Sequence, residues 1–326
     1  MSMRPSVAPS QSAASPERKL FADDVGYYLR LEPRQLPSRY FYDALGSALF
    51  EAICHLPWYP ITRAERRLLE ARASDIVRHL PSLSTLVELG PGSGEKLAML
   101  VRAAGSTPLL TVHLVDVSAA ALDLAMRTLS EYDGVTVVPH QASYELGLDA
   151  LSLDQPGRTL ALFLGSNIGN FDPPGADEFL RTIRRALAPG DALLIGADLL
   201  KAERDLLLAY DDPLGVTAAF NRNLLVRVNR ELGADFDLDA FDHRAIWNPA
   251  ESRVEMHLVT TRAQRVRVAA SGLDITLEAG EAIWTESSYK YRAAEVAAML
   301  ARAGFRTIDQ WIDEPDGFAL TLVDAI

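Results

Sequence analysis

Glu286 and Ser288 stand two residues apart in the run Trp284-Thr285-Glu286-Ser287-Ser288-Tyr289-Lys290. Alternation along a strand puts such a pair on one face. A carboxylate accepts from an N–H, and a hydroxyl donates to or accepts from a neighbouring nitrogen. Together they suit a ring with two edge nitrogens, such as imidazole; indole, with a single N–H, would leave one of them unmatched. A pocket built on such bonds rejects analogues lacking them far better than an apolar pocket does. Read alone, however, the same residues favour a polar strand face turned to solvent. A second chemical centre is the run Glu88-Leu89-Gly90-Pro91-Gly92-Ser93-Gly94-Glu95-Lys96. Glycines without a Cβ let the backbone pass close to a nucleotide-like ligand, and Lys96 can approach a carboxylate. Asp116 ends the next apolar run, where α/β folds place the acid that accepts from ribose hydroxyls. Asn170 follows a later run; its amide can accept from an amine while donating to a carboxylate, the two groups of an amino-acid head.

These residues need a scaffold that gathers them. The apolar, partly β-branched run 85–89 reads as a buried strand that drops into the glycine turn and then a helix from Lys96. Further strands are expected at 109–116, 135–138, 160–165 and 192–197, with helices over 118–129, N-capped by Ser118, and over 173–187. Near-continuous apolar strands alternating with helices indicate a parallel sheet covered on both faces. After residue 200 the alternation breaks, then resumes with a helix over 293–303 and a closing hairpin at 307–311 and 318–323. The expected plan is an α/β, Rossmann-like sheet over 64–199 and 290–326, with an inserted second lobe from 19–63 and 200–289 over the strand ends.

Composition narrows the partners. A formal charge of −12 over 326 residues, with no basic stripe, argues against nucleic acid. Cys54 is the only cysteine, which rules out an intrachain disulfide and reads as a small core residue. The six histidines, His55, His79, His113, His140, His243 and His257, are scattered singly along the chain, so no metal is expected. No apolar run reaches the roughly 18–20 residues that cross a bilayer. Residues 1–18, rich in Ser, Ala and Pro, read as a disordered lead. A cytoplasmic monomer acting on a small molecule is the expectation.

The glycine run departs from the G-x-G-x-x-G of dinucleotide loops, because Glu95 stands in the third glycine's place. An acid followed by G-x-G-x-G resembles the first motif of class I S-adenosylmethionine (SAM)-dependent methyltransferases, whose sheet ends in an antiparallel hairpin. In that plan Ser143-Tyr144 occupy the place where an acidic residue often holds the adenine amine.

Four more segments carry a sharper likeness: 41–50 leading into Leu56-Pro57-Trp58-Tyr59-Pro60-Ile61-Thr62-Arg63-Ala64-Glu65; Gly165-Ser166-Asn167-Ile168-Gly169-Asn170; 209–223, beginning Ala209-Tyr210-Asp211-Asp212-Pro213; and Trp284 to Tyr291. In order along nearly the whole chain, they resemble the histidine Nα-methyltransferases of ergothioneine biosynthesis. The resemblance implies that SAM methylates the α-amine of L-histidine three times, giving hercynine and S-adenosylhomocysteine (SAH). It places Asn170 and Tyr210 at the substrate's carboxylate and amine, and Tyr59, Glu286 and Ser288 at the imidazole. It puts Tyr42, Phe50, Gly165 and Met256 on the pocket wall, with Tyr42 and Asn170 nearest the chemistry. Gly90, Gly92, Lys96, Asp116, Ser143 and Tyr144 fall on the cofactor side. The chain departs from the family at Trp58-Tyr59-Pro60-Ile61, where Glu-Tyr-Tyr-Pro is usual, at Asn167, where threonine is common, and at Ser143. Two alternatives stand beside this reading: a related betaine-forming enzyme acting on another amino acid such as tryptophan, and a non-catalytic SAM- or amino-acid-binding protein.

Overall fold

The computed structural model describes residues 16–105, 109–151 and 157–326. Helix α1 (Pro16–Tyr28), the two-residue strand β1 (Arg34–Gln35), α2 (Ala44–Cys54) and α3 (Ile61–Arg78) come first. Strand and helix then alternate: β2 (Leu83–Leu89), α4 (Glu95–Ala104), β3 (Leu110–Asp116), α5 (Ala119–Leu129), β4 (Val135–Gln141), α6 (Tyr144–Asp149), β5 (Arg158–Phe163), α7 (Pro173–Ala186) and β6 (Ala192–Asp198). Next come α8 (Glu203–Tyr210), α9 (Val216–Leu232), β7 (Phe241–Asn248), β8 (Arg253–Thr260), β9 (Gln264–Val268), β10 (Leu273–Leu277) and β11 (Ala282–Tyr289). Helix α10 (Ala293–Arg302) and the hairpin β12 (Phe305–Asp313) and β13 (Phe318–Ala325) close the chain. Of the lead expected over 1–18, residues 1–15 lie outside the described residues, and 16–18 open α1.

The large sheet has the order β12-β13-β6-β5-β2-β3-β4, parallel except for β13, which runs antiparallel to both neighbours. This is the Rossmann-like class I methyltransferase plan. Its strands are apolar throughout because both faces are covered: Leu86, Leu160, Leu162 and Leu194 join one core, while Val87, Ala161, Phe163 and Ile195 join the other. Period-two alternation sorts neighbouring residues between these cores. Helix α7 shows how the covering works. Asp172 caps it by accepting from Gly175 N–H at 2.9 Å, Pro173 occupies its first turn, and Ala176, Phe179, Leu180 and Ile183 turn one face to the sheet. The order of strand addition switches sides between the parallel strands β2 and β5, and the crevice above their carboxyl ends is where such sheets take ligands.

A second sheet, β1-β11-β8-β7, rises over that crevice with the ribbon β9–β10 beside it. Its β8 alternates between core and solvent residue by residue. In β11 the alternation is broken by a bulge: Trp284 pairs with His257, and Glu286 with Met256. Thr285, the extra residue, is buried and donates its hydroxyl proton to the Met256 carbonyl at 3.0 Å. Simple alternation would put Trp284, Glu286 and Ser288 on one face. The bulge instead gives Trp284 the opposite side and leaves Glu286 and Ser288 together, facing the crevice. Among the described residues no helix is long and apolar enough to cross a membrane.

Candidate active site

The pocket between the sheets is bounded by Tyr42 and Phe50 from the α2 region, Tyr59 and Ile61 before and in α3, Gly165 to Asn170 after β5, Tyr210 from α8, Phe220 from α9, Met256 from β8, and Glu286 and Ser288 from β11. All nine residues expected to touch substrate (Tyr42, Phe50, Tyr59, Gly165, Asn170, Tyr210, Met256, Glu286 and Ser288) therefore meet in one cavity. The altered turn Trp58-Tyr59-Pro60-Ile61 keeps Tyr59 on the wall, because Pro60 takes the N-cap position of α3. Phe220, Thr217 and Ile53 also line the pocket and were not foreseen.

Aromatic rings build one side. Tyr42 meets Phe50 edge-on at 5.7 Å, Phe50 meets Tyr59 at 6.3 Å, and Tyr59 meets Tyr210 at 6.4 Å. Asp43 fixes the start of α2: it accepts from Gly46 N–H at 2.7 Å and from the Asn223 amide of α9 at 2.8 Å. Burial pushes the Tyr42 and Tyr59 phenols well above their usual range, and for Tyr42 the Glu286 charge adds to this. Both stay protonated and act as neutral walls or donors.

The polar side is more telling. Tyr210 Oη and Ser288 Oγ are 2.7 Å apart. His243 of β7 holds Tyr210 from behind: its Nε2–H donates to the Tyr210 carbonyl at 2.8 Å while Nδ1 accepts from the Asn221 amide at 2.9 Å. Among the described residues neither the Glu286 carboxylate nor the Asn170 amide has a hydrogen-bond partner, so both are available to a ligand. Burial pushes the Glu286 carboxyl up to about 7, against the pull of Lys290.

Toward β2 lies a second set of groups. Gly90 sits at φ +80°, a left-handed conformation that glycine adopts without strain. A Cβ there would lie 2.8 Å from Tyr144 Oη and 3.3 Å from Asn167 Nδ2. Asn167 thus stands between the glycine loop and the pocket it lines. Lys96 donates to Glu65 Oε2 at 2.6 Å, and Gly165 N–H donates to the same carboxylate at 2.8 and 2.9 Å. Glu65, fully buried, fills the space over Gly196, where a Cβ would come within 2.0 Å of Oε1. This clip ties α3 to both the first βα turn and the fourth strand's end, and nothing local in the sequence announces it. Burial works to lower the Lys96 ammonium's pKa, but the Glu65 charge and hydrogen bond, with the Glu88 charge, together more than offset it. Asp116 accepts from Ser118 N–H at 2.8 Å, and burial raises its carboxyl. Ser143 accepts from Leu146 N–H at 3.4 Å as the N-cap of α6, and burial raises the Tyr144 phenol.

Glu88 is the most demanding group here. It is buried, and among the described residues neither oxygen has a partner. Burial raises its carboxyl to about 8; Lys96 pulls the other way, and Glu65 and Asp116 push with burial. An unpaired buried carboxylate beside a glycine cradle fits a ligand that brings positive charge. A methionyl ammonium and sulfonium supply that charge, Lys96 suits the accompanying carboxylate, and Asp116 a ribose, so these residues fit SAM. The histidines give no comparable cluster: His113 and His140 approach to 3.0 Å across β3 and β4, and no acid or thiol joins them among the described residues.

Comparison with known proteins agrees with this geometry. The profile of the family described as "Histidine-specific methyltransferase, SAM-dependent" matches residues 21–325. The chain is 45% identical over 312 residues to the histidine N-alpha-methyltransferase of Mycolicibacterium smegmatis, covering 95% of this chain and 96% of that protein. It is 44% identical over 301 residues to the histidine N-alpha-methyltransferase of Mycobacterium tuberculosis, covering 92% and 93%. It is 28% identical over 296 residues to ergothioneine biosynthesis protein 1 of Neurospora crassa, covering 86% of this chain and 32% of that longer protein. The chain belongs to the SAM-dependent, histidine-specific methyltransferase family.

Proposed function

We propose that this protein methylates the α-amine of L-histidine three times with SAM, giving hercynine, in the ergothioneine pathway. The observation that carries the reading is the convergence of Glu286, Ser288, Tyr210 and Asn170 on one pocket whose floor, through Asn167 and Gly165, adjoins the Gly90 loop and Lys96. Glu286 and Ser288 hold the two imidazole nitrogens, and Asn170 and Tyr210 the amino-acid head. Gly90, Gly92, Lys96, Asp116 and Tyr144 hold SAM, with Glu88 facing its positive charge. Ser143, spent on a helix cap, gives the adenine weaker support than an acid would.

SAM, when bound, supplies an electrophilic methyl group on its sulfonium. The protein's task is alignment, and well-oriented reactants can supply about 7–11 kcal/mol of a barrier. The amine must lose a proton before each transfer, at about 1.4 kcal/mol for each pH unit by which its pKa exceeds ambient pH. Tyr42 and Tyr210 are kept neutral by burial, so they position the amine and the proton leaves to water. Their rings, with Tyr59 and Phe50, present π faces to a nitrogen that becomes permanently cationic, each contact favouring it by about 0.5–2 kcal/mol. Methylated intermediates are thereby retained for the next transfer.

In this reading 64–199 with 290–326 forms the SAM-binding domain, and 19–63 with 200–289 the substrate lobe. The enzyme acts as a cytoplasmic monomer on the free amino acid, with SAH as co-product. The test is mass spectrometry of L-histidine incubated with SAM and the protein. Mono-, di- and trimethylhistidine are expected in succession. No hercynine, with efficient methylation of another amino acid such as tryptophan, would overturn the substrate; SAH binding without any turnover would overturn the enzyme.

A further inference from the structure

Lys290, the residue after β11, has no solvent exposure in its side chain, and no other lysine or arginine among the described residues is as buried. Its ammonium makes three short contacts: Asp198 Oδ2 at 2.9 Å, Tyr210 Oη at 2.8 Å and Ser288 Oγ at 2.9 Å. A buried ammonium needs a counter-charge and acceptors for each proton, and here all three donors are used. Asp198 is held in turn. Its backbone N–H donates to Ser166 Oγ at 2.9 Å, and its other carboxylate oxygen accepts from Lys201 at 2.6 Å. The cluster is anchored at the end of β6, in the large sheet, and reaches two residues of the substrate pocket on α8 and β11.

The consequence follows from counting protons. Lysine can only donate, so Tyr210 Oη and Ser288 Oγ each accept one hydrogen bond from it. The two hydroxyls also bond each other at 2.7 Å, which uses one of their two protons. One proton is left to face the pocket. If Ser288 donates to Tyr210, then Tyr210 donates outward and Ser288 has a lone pair to offer; in the reverse case the senses are exchanged. The pair can never donate twice or accept twice.

We propose that Lys290 is a positioning residue that locks Tyr210 and Ser288 into opposite hydrogen-bonding senses toward the substrate. This rests on the reading of the pocket as a histidine site, where Tyr210 meets the amino-acid head and Ser288 a ring nitrogen, one hydroxyl donating and the other accepting. Lys290 thereby couples the recognition of the two ends of one small molecule, and it does so without touching that molecule. Its removal leaves both hydroxyls free to rotate, and a single recognition geometry becomes several.

The test is a double-mutant cycle on histidine KM with wild type, K290M, Y210F and Y210F/K290M, alongside SAM KM and SAH affinity by calorimetry. K290M is expected to raise histidine KM at least tenfold while SAM KM and SAH affinity stay within twofold. On the Y210F background the same change is expected to cost less than threefold, because half of what Lys290 holds is already gone. K290R, which keeps donors at the position, is expected to recover part of the loss. A K290M enzyme with unaltered histidine KM, or one whose loss is equal on both backgrounds, would overturn the proposal. Should K290M lose SAH binding, the cycle is read with K290Q under the same two criteria. A wild-type protein that does not turn over histidine would overturn the underlying reading instead, which separates the two failures.

Discussion

Replacing Glu88 with glutamine is expected to stabilise the ligand-free protein, but only at high pH. The carboxyl is buried without a partner, and burial raises it to about 8 from an ordinary 4.5. Below about pH 4.5 it is neutral folded or unfolded and carries no charge penalty. As pH rises from there to about 8, the unfolded chain releases the proton while the folded protein keeps it, so stability falls. Above about 8 both states are ionised and the penalty is complete, on the order of 5 kcal/mol. Glutamine has the same shape and no charge, although its buried amide still costs about 1–3 kcal/mol unpartnered. E88Q should therefore match or fall slightly below wild type at pH 5 and exceed it by roughly 2–4 kcal/mol at pH 9. That difference amounts to a few degrees in Tm, at roughly 1.5 °C per kcal/mol for a chain of 326 residues. Glu286 titrates the same way in both proteins and cancels in the comparison. Thermal or urea unfolding across pH 5–9 without SAM reads the effect. Calorimetry should show the functional cost, with SAH bound about 10-fold or more weakly once the charge facing its ammonium is lost. A stability difference that is flat across pH, or E88Q less stable at pH 9, would refute the reasoning.

Three further outcomes are expected. E286A should lower kcat/KM for histidine by about 1.5–3 kcal/mol, some 10–150-fold, because it removes a charged hydrogen-bond partner; an unchanged value would remove Glu286 from the ring. Since the Glu286 carboxyl lies near 7, wild-type kcat/KM for histidine should bend near pH 7 and E286Q should lack that bend, while bends from the substrate's own groups persist in both. Glu65→Ala strips Lys96 and the Gly165 N–H of their shared acceptor and should cost about 3–5 kcal/mol of unfolding free energy; a urea midpoint within error of wild type would show that the clip holds nothing.

Much of the sheet was legible because its information is local. Buried strands such as Ala192–Asp198 are continuous apolar runs, and Ser118 caps its helix by accepting from Ala121 N–H as its position implied. The pocket residues were reached through motif resemblance, since no periodicity links Tyr59 to Glu286. Glu65, Lys290 and His243 escaped notice for a physical reason. Each acts through a partner more than 30 residues away (Lys96 and Gly165, Asp198 and Tyr210, and Tyr210 again), and a lone charged or imidazole side chain looks the same whether solvated or buried. The bulge at Thr285 was equally hidden, because it is defined by pairing with β8 rather than by composition. Glu88 was visible as an acid at a strand end, but its lack of a partner appears only once the surrounding strands are packed.

The pocket's walls are drawn from both ends of the polypeptide: Tyr42, Phe50 and Tyr59 are made early, whereas Glu286 and Ser288 come some 230 residues later. When 64–199 has been made, the pocket already has Tyr42, Phe50 and Tyr59 but still lacks Tyr210, Met256, Glu286 and Ser288. The polar groups that read the imidazole therefore join the pocket only once β11 has been made. The same division lets mutation retune which amino acid is chosen, through late-made lobe residues, while the machinery that presents the methyl donor is inherited unchanged.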